Sequence, residues 1–166
     1  MKLTTPQQLS LLSDGPSFPS VAALVEAGKS ALIWLHSNNF IGPVQTRMVA
    51  DALRGEERRW FAEKMLELRQ RVESMPCTYQ QDGLGDQAIA HLRYFCGGQA
   101  TCWITEKDKG SPDDTPAERQ WQAFGLADLF GDGGETGYIC LPEWLANGAE
   151  LDFHFQPAPL SEIRKL

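Results

Sequence analysis

The spacing of apolar positions changes character along this chain. Near its start, Thr4-Thr5-Pro6 precedes Leu9, Leu11 and Leu12, which predicts a short helix ending near Gly15. After the turn-rich stretch Gly15 to Ser20, Val21 to Ala27 predicts a second short helix stopped by Gly28. Ala31-Leu32-Ile33-Trp34-Leu35-His36 then reads as a buried strand closed by Ser37-Asn38-Asn39.

Helical spacing dominates the centre. Gly42-Pro43 supplies a start, Val44, Met48, Val49, Ala52 and Leu53 recur at helical intervals, and Gly55 ends the segment. Phe61, Met65, Leu68, Val72 and Met75 then alternate steps of four and three and share one face, while arginines and glutamates fill the others. Pro76 stops this helix. Such a stripe fits a partner helix or dimer seam, but it is short for a coiled coil, which favours packing on the chain's own sheet.

Beyond the polar linker Thr78 to Asp86, the pattern shortens to strand-length runs separated by glycine and proline. Ala88 to Phe95 and Thr101 to Lys107 flank Gly97-Gly98 and predict a hairpin. Lys107 to Gln120 is hydrophilic and predicts an exposed, mobile loop. Strands are expected over Gln122 to Leu129, Thr136 to Leu141 and Glu150 to Phe155, with short helices at Pro142 to Gly148 and from Pro159. The resulting fold class is α+β, with an antiparallel meander sheet in the C-terminal half packed against helices from the N-terminal half. The expected organisation is a single domain over 1–166, with a helical insertion or subdomain at 19–85 and a sheet-rich region at 86–166.

Four ordered motifs of that second half, with the opening Leu3-Thr4-Thr5-Pro6 and Leu11-Leu12, resemble a known family. They are Trp103-Ile104-Thr105-Glu106; Ala123-Phe124-Gly125 with Asp128-Leu129; Glu135-Thr136-Gly137-Tyr138-Ile139; and Leu151-Asp152-Phe153-His154-Phe155 with Pro157-Ala158-Pro159-Leu160. The family is a domain of unknown function common on plasmids and integrative conjugative elements, often labelled plasmid-related protein. The resemblance implies an accessory protein of a mobile element and transfers no catalytic residue. Relative to its short members, the segment from about Pro19 to Gly85 is an insertion.

Composition is that of an ordinary globular chain, with 42% apolar and 22% charged residues in 166. No run of about 18 apolar residues is present and the first residues lack a secretory h-region, so a cytoplasmic location without membrane contact is expected. Cys77, Cys96, Cys102 and Cys140 form no Cys-x-x-Cys pair; Cys96, Cys102 and Cys140 read as buried free thiols.

Charge is unevenly placed. Residues 1–85 hold 9 acidic and 9 basic side chains, whereas 86–166 hold 13 and 6, so all of the net −7 belongs to the sheet-rich half. That half is a poor phosphate binder. Its carboxylates suit contact with a protein, either as a mimic of nucleic acid or simply as a solubilising surface. The expected partner-binding residues are Asp108, Asp113, Asp114, Glu118, Trp121, Asp132 and Glu135, with Phe130, Tyr138 and Trp144 as further aromatic anchors. A basic strip from Arg47 through Arg54, Arg58, Arg59 and Arg69 to Arg71 offers a nucleic-acid reading, which its interleaved glutamates oppose.

No nucleophile elbow or phosphate loop occurs; Gly131-Asp132-Gly133-Gly134 lacks the lysine and helix of the latter and reads as a turn. Glu106, Asp128 and His154 lie near strand ends and, if convergent, would bind a divalent ion or activate water as a hydrolase or nuclease. Solvated strand-end charges are the simpler account. His36 and His91 read as core or boundary residues. The favoured reading is a non-enzymatic protein, without cofactor, that binds a host or element-encoded complex and inhibits a defence system such as CRISPR or restriction, as a monomer or homodimer.

Overall fold

A computed structural model describes residues 20–109 and 119–165. The fold is α+β: three N-terminal helices and a five-strand antiparallel sheet in the C-terminal half. The helix expected at Thr4 to Gly15 lies outside the described residues, as does most of the loop expected between Lys107 and Gln120.

Helix α1 (Val21–Ser37) opens on Ser20, whose hydroxyl accepts from the Ala23 N–H at 3.1 Å. It does not stop at Gly28. The expected strand Ala31 to His36 is its second half, with Ala31, Leu32 and Leu35 buried and Ile33 exposed. A short apolar run carries no period of its own, and here Leu24, Gly28, Ala31 and Leu35 complete a helical face.

Helix α2 (Pro43–Ala52) starts at its proline as expected, yet only Val49 of it is buried, followed by Leu53; Val44 and Met48 face outward. Helix α3 (Arg58–Ser74) places Met65, Leu68 and Val72 at 0% exposure and Met75 at 3%, so the stripe is internal and unavailable as a dimer seam. It packs against α1 and belongs to the same apolar cluster as the sheet. Each of these side chains contributes about 2 kcal/mol on burial.

The main sheet has the order β5-β4-β3-β2-β6. Its strands are β2 (Leu92–Cys96), β3 (Ala100–Glu106), β4 (Gln122–Asp128), β5 (Glu135–Cys140) and β6 (Glu150–Leu151). The hairpin at Gly97-Gly98 forms as expected, both glycines at positive φ. The run Ala88 to Phe95 is two strands, because the chain leaves the ladder at His91: β1 (Ile89–Ala90) pairs instead with β7 (Ala158–Pro159). The strand expected over Glu150 to Phe155 pairs only as far as Leu151, after which Asp152 to Phe155 turns. Short helices α4 (Leu141–Ala146) and α5 (Leu160–Ile163) complete the chain, with a 3-10 turn at Gly85–Gln87.

Alternation along the strands gives the sheet two dissimilar faces. Leu92, Tyr94, Cys102, Ile104, Ala123 and Ile139 meet the helices, and the Tyr94 hydroxyl donates to the Phe40 carbonyl at 2.8 Å, tying the sheet to the turn after α1. Burial, with a contribution from Cys102, holds that hydroxyl's pKa well above the usual tyrosine value. Leu126 and Trp103 face the other way, against Ala88, Ala90, Leu160 and Ile163. All four cysteines are free thiols; Cys102 is buried, with its pKa raised by desolvation and then by Cys96, while Cys96 and Cys140 are only half-buried rather than buried as expected. No described helix is long and apolar enough to cross a membrane.

Gly28 sets how closely α1 and α3 approach, whereas Gly137 faces open space. A Cβ on Gly28 would lie 2.6 Å from the Ala62 Cα, backbone that cannot rotate away, whereas a Cβ on Gly137 in β5 would meet nothing within 4 Å. Gly28→Val should therefore destabilise the protein by about 3 kcal/mol in urea unfolding. Gly137→Val should leave stability within about 0.5 kcal/mol of the parent.

Candidate functional site

The candidate hydrolytic residues are placed first by the ladder. Thr101 of β3 pairs with Asp128 and Glu106 pairs with Phe124, so Glu106 and Asp128 stand at opposite ends of the β3–β4 pair. Five residues of strand separate those ends by roughly 16 Å. His154 lies elsewhere again, exposed past β6 and tilted against Trp60 of α3 with ring centroids 5.5 Å apart. Among the described residues, no three His, Cys, Asp or Glu side chains are grouped to hold a metal ion.

Each of these carboxylates has a local task. The β3–β4 register slips between Ile104 and Glu106, leaving Thr105 as the extra residue of a bulge. An unbroken register would pair Glu106 with Ala123 and aim it into the helical core; the slip pairs it with Phe124 on the opposite face. There, at 4% exposure, it accepts the N–H of Tyr79 at 3.0 Å and that of Gln81. The Gln81 amide in turn bonds Ile89 and Thr105. This network straps the linker across the sheet and holds Tyr79 at φ 76°, a backbone conformation unusual for a side-chain-bearing residue.

Asp128 organises the turn after β4. Its Oδ1 accepts from Phe130, Gly131 and Asp132 and its Oδ2 from Gly133, so the Gly131 to Gly134 stretch is a carboxylate-capped turn, as the sequence suggested. Desolvation opposes its charge, but the four backbone donors outweigh it and hold the carboxyl pKa below the usual value.

This turn displays Phe130 at 77% exposure and Leu129 at 53% beside β5. Together with Ala127 and the β5 residues Thr136, Gly137, Tyr138 and Ile139 they line an open groove of about 450 Å³ that Asp132 and Glu135 also border. On the other face of β5, Tyr138 is half exposed, edge-on to Phe124, with its hydroxyl 2.7 Å from that of Tyr79. The hydrogen bond with Tyr79, then desolvation and the charges of Asp82 and Glu106, push the Tyr138 hydroxyl pKa up.

The expected binding residues divide around this strand. Asp132 and Glu135 are exposed at its start. Trp121, exposed and stacked under Arg119, stands at its end, where the Leu141 N–H donates to the Trp121 carbonyl. Asp108 accepts from the N–H groups of Trp121 and Gln122, pinning the start of β4. Asp113, Asp114 and Glu118 lie outside the described residues. Trp144 is partly buried against the core. Sequence reading missed Leu129, Tyr79 and Gly137; the exposed end of a strand adjoining a glycine turn was the available signal.

The arginine strip is largely neutralised on its own helices: Arg54 pairs with Asp51, Arg59 with Glu63, Arg69 with Glu73 and Arg71 with Glu67. Arg71 also donates to the Phe155 carbonyl and contributes, after desolvation, to a lowered pKa at half-buried His91. His36, exposed at the end of α1, has Nδ1 3.1 Å from the Ile41 carbonyl and is not a core residue.

No family model, curated protein or solved structure matches this chain.

Two outcomes follow from the carboxylates. Glu106→Ala orphans two backbone donors at a buried site and should destabilise the fold by about 3 kcal/mol, read by urea unfolding. Asp128 has a folded pKa below its unfolded one, so its ordering of the turn is fully present above about pH 4 and is lost as pH falls through the folded value. An NMR titration should show the Gly131 and Gly133 amides moving together with the Asp128 carboxyl, and Asp128→Ala should abolish that transition.

Proposed function

We propose that this chain is a binding protein of a mobile genetic element, acting in the cytoplasm on a host or element-encoded protein complex and inhibiting a defence system such as CRISPR or restriction. The observation that carries the reading is the β5 surface: Phe130 and Leu129 stand exposed beside a groove bordered by carboxylates. Large apolar side chains in water, rimmed by charge, are characteristic of contact surfaces. The four ordered motifs that resemble the plasmid-borne family supply the genetic setting. The free thiols suit a reducing compartment. The acidic excess of residues 86–166 supplies long-range attraction for a cationic partner surface.

Glu106 and Asp128 are committed to backbone donors and His154 to a tilted ring contact with Trp60, which supports binding over hydrolysis. Pairing of the arginines with glutamates likewise supports protein rather than nucleic acid as the partner.

Immobilised protein should retain a complex from a lysate of bacteria bearing such a defence system, unchanged by nuclease or chelator, and should suppress that system's activity in the same lysate. Phe130→Asp should reduce retention and suppression at least about tenfold, as loss of a central aromatic anchor does. Retention abolished by nuclease, or substrate turnover removed by His154→Ala, would overturn the reading.

A further inference from the structure

Resting on that binding role, we propose that β5 captures an extended segment of the partner as a sixth strand, and that this segment alternates basic and apolar residues. The two edges of the sheet differ in kind. The β6 edge is two residues long and ends in a turn. The β5 edge is six residues long, pairs with β4 without a bulge and contains neither lysine nor proline; its one charged side chain, Glu135, stands at the first residue, so Thr136 to Cys140 carry none of these protecting residues.

Ladder parity shows which groups this edge offers. The Leu141 N–H donates to the Trp121 carbonyl, so the bonded pairs run on through Ala123 with Ile139, Gly125 with Gly137 and Ala127 with Glu135. The N–H groups of Thr136, Tyr138 and Cys140 therefore point away from β4, as do the Thr136 and Tyr138 carbonyls. Among the described residues these edge groups meet no backbone partner. An added strand would satisfy them.

Side-chain alternation fixes the occupant. Residues of the incoming strand on the Gly137 side enter the groove beside Leu129 and Phe130, where the missing glycine side chain leaves space for an apolar group. Residues on the other side lie over Tyr138, in the field of Asp82, where a lysine or arginine gains both charge and ring attraction. Asp132 and Glu135 add negative charge at one end. A second copy is the wrong occupant, because it would bring together two sheet-rich halves that each hold the whole −7 of their chain.

The test uses full-length ¹⁵N-labelled protein and two blocked peptides, Lys-Val-Lys-Val-Lys-Val-Lys and Glu-Val-Glu-Val-Glu-Val-Glu. The basic peptide should slow hydrogen exchange at the Thr136, Tyr138 and Cys140 amides, leave those of Gly137 and Ile139 little changed, and bind at least about tenfold more tightly than the acidic one. Thr136→Pro removes one outward donor without touching the bonds to β4, and Gly137→Val fills the groove; each should weaken the basic peptide about tenfold. Gly137→Val keeps the test decisive where the proline variant unfolds.

Equal binding of the two peptides would overturn the basic occupant, and no protection at these three amides would overturn strand addition. Protection that grows with protein concentration and no peptide would overturn the cationic occupant in favour of a second copy. A lysate complex retained through Phe130 but indifferent to both edge variants would overturn strand addition while the binding role stands; a lysate that yields no retained complex removes the binding role itself.

Discussion

The architecture depends on covering one face of a five-strand sheet with a pair of helices that nearly touch. Gly28 lets α1 approach α3 at Ala62, where a Cβ would lie 2.6 Å from the Ala62 Cα, and the two helices share one apolar cluster with Tyr94, Cys102 and Ile104. Coverage is uneven across the sheet. β4 offers that face only Ala123, Gly125 and Ala127, and β5 offers the buried Ile139 followed by Gly137 and the exposed Glu135. Small residues leave little to bury near the β5 edge, so the close-packed centre and the open groove are two results of one distribution of side-chain volume.

The second face is managed by polar chemistry as well as by apolar cover. A one-residue slip in β3 turns Glu106 out of the helical core, where an unpaired carboxylate would be prohibitive, toward a strap that donates two backbone N–H groups to it. The same strap carries Tyr79 to Tyr138. A residue that resembles a catalytic acid in the sequence is thus the anchor that shapes one side of the β5 surface. Asp128 plays the corresponding part on the other side, holding the turn that projects Phe130.

Electrostatics divides the molecule accordingly. On the helices, carboxylates and arginines three or four residues apart neutralise one another as exposed pairs of small individual value. In the sheet-rich half the carboxylates outnumber the cations, and Asp82, Asp132 and Glu135 surround a strand whose backbone is open on one side. Long-range attraction and directional hydrogen bonding then act on the same approaching segment.

Local periodicity specifies those elements whose repeat recurs often enough to be unambiguous. Phe61 to Ser74 is helical because Phe61, Met65, Leu68 and Val72 hold one face, with Met75 continuing it at the cap, and the Gly97-Gly98 hairpin follows from two strand-length runs around glycines that tolerate positive φ. The acidic bias toward the C-terminal half was equally legible. Tertiary packing was needed to tell whether Ala31 to His36 is strand or helix, since five apolar residues and a histidine satisfy either period and the α3 surface selects between them. It also decided the fates of Glu106, Asp128 and His154. Their separation depends on strand register, and register is set by pairing between segments distant in sequence, which no local spacing encodes. For the same reason strand order makes β5 the longer of the sheet's two edges: the residues of β5 carry no mark of being last in the sheet.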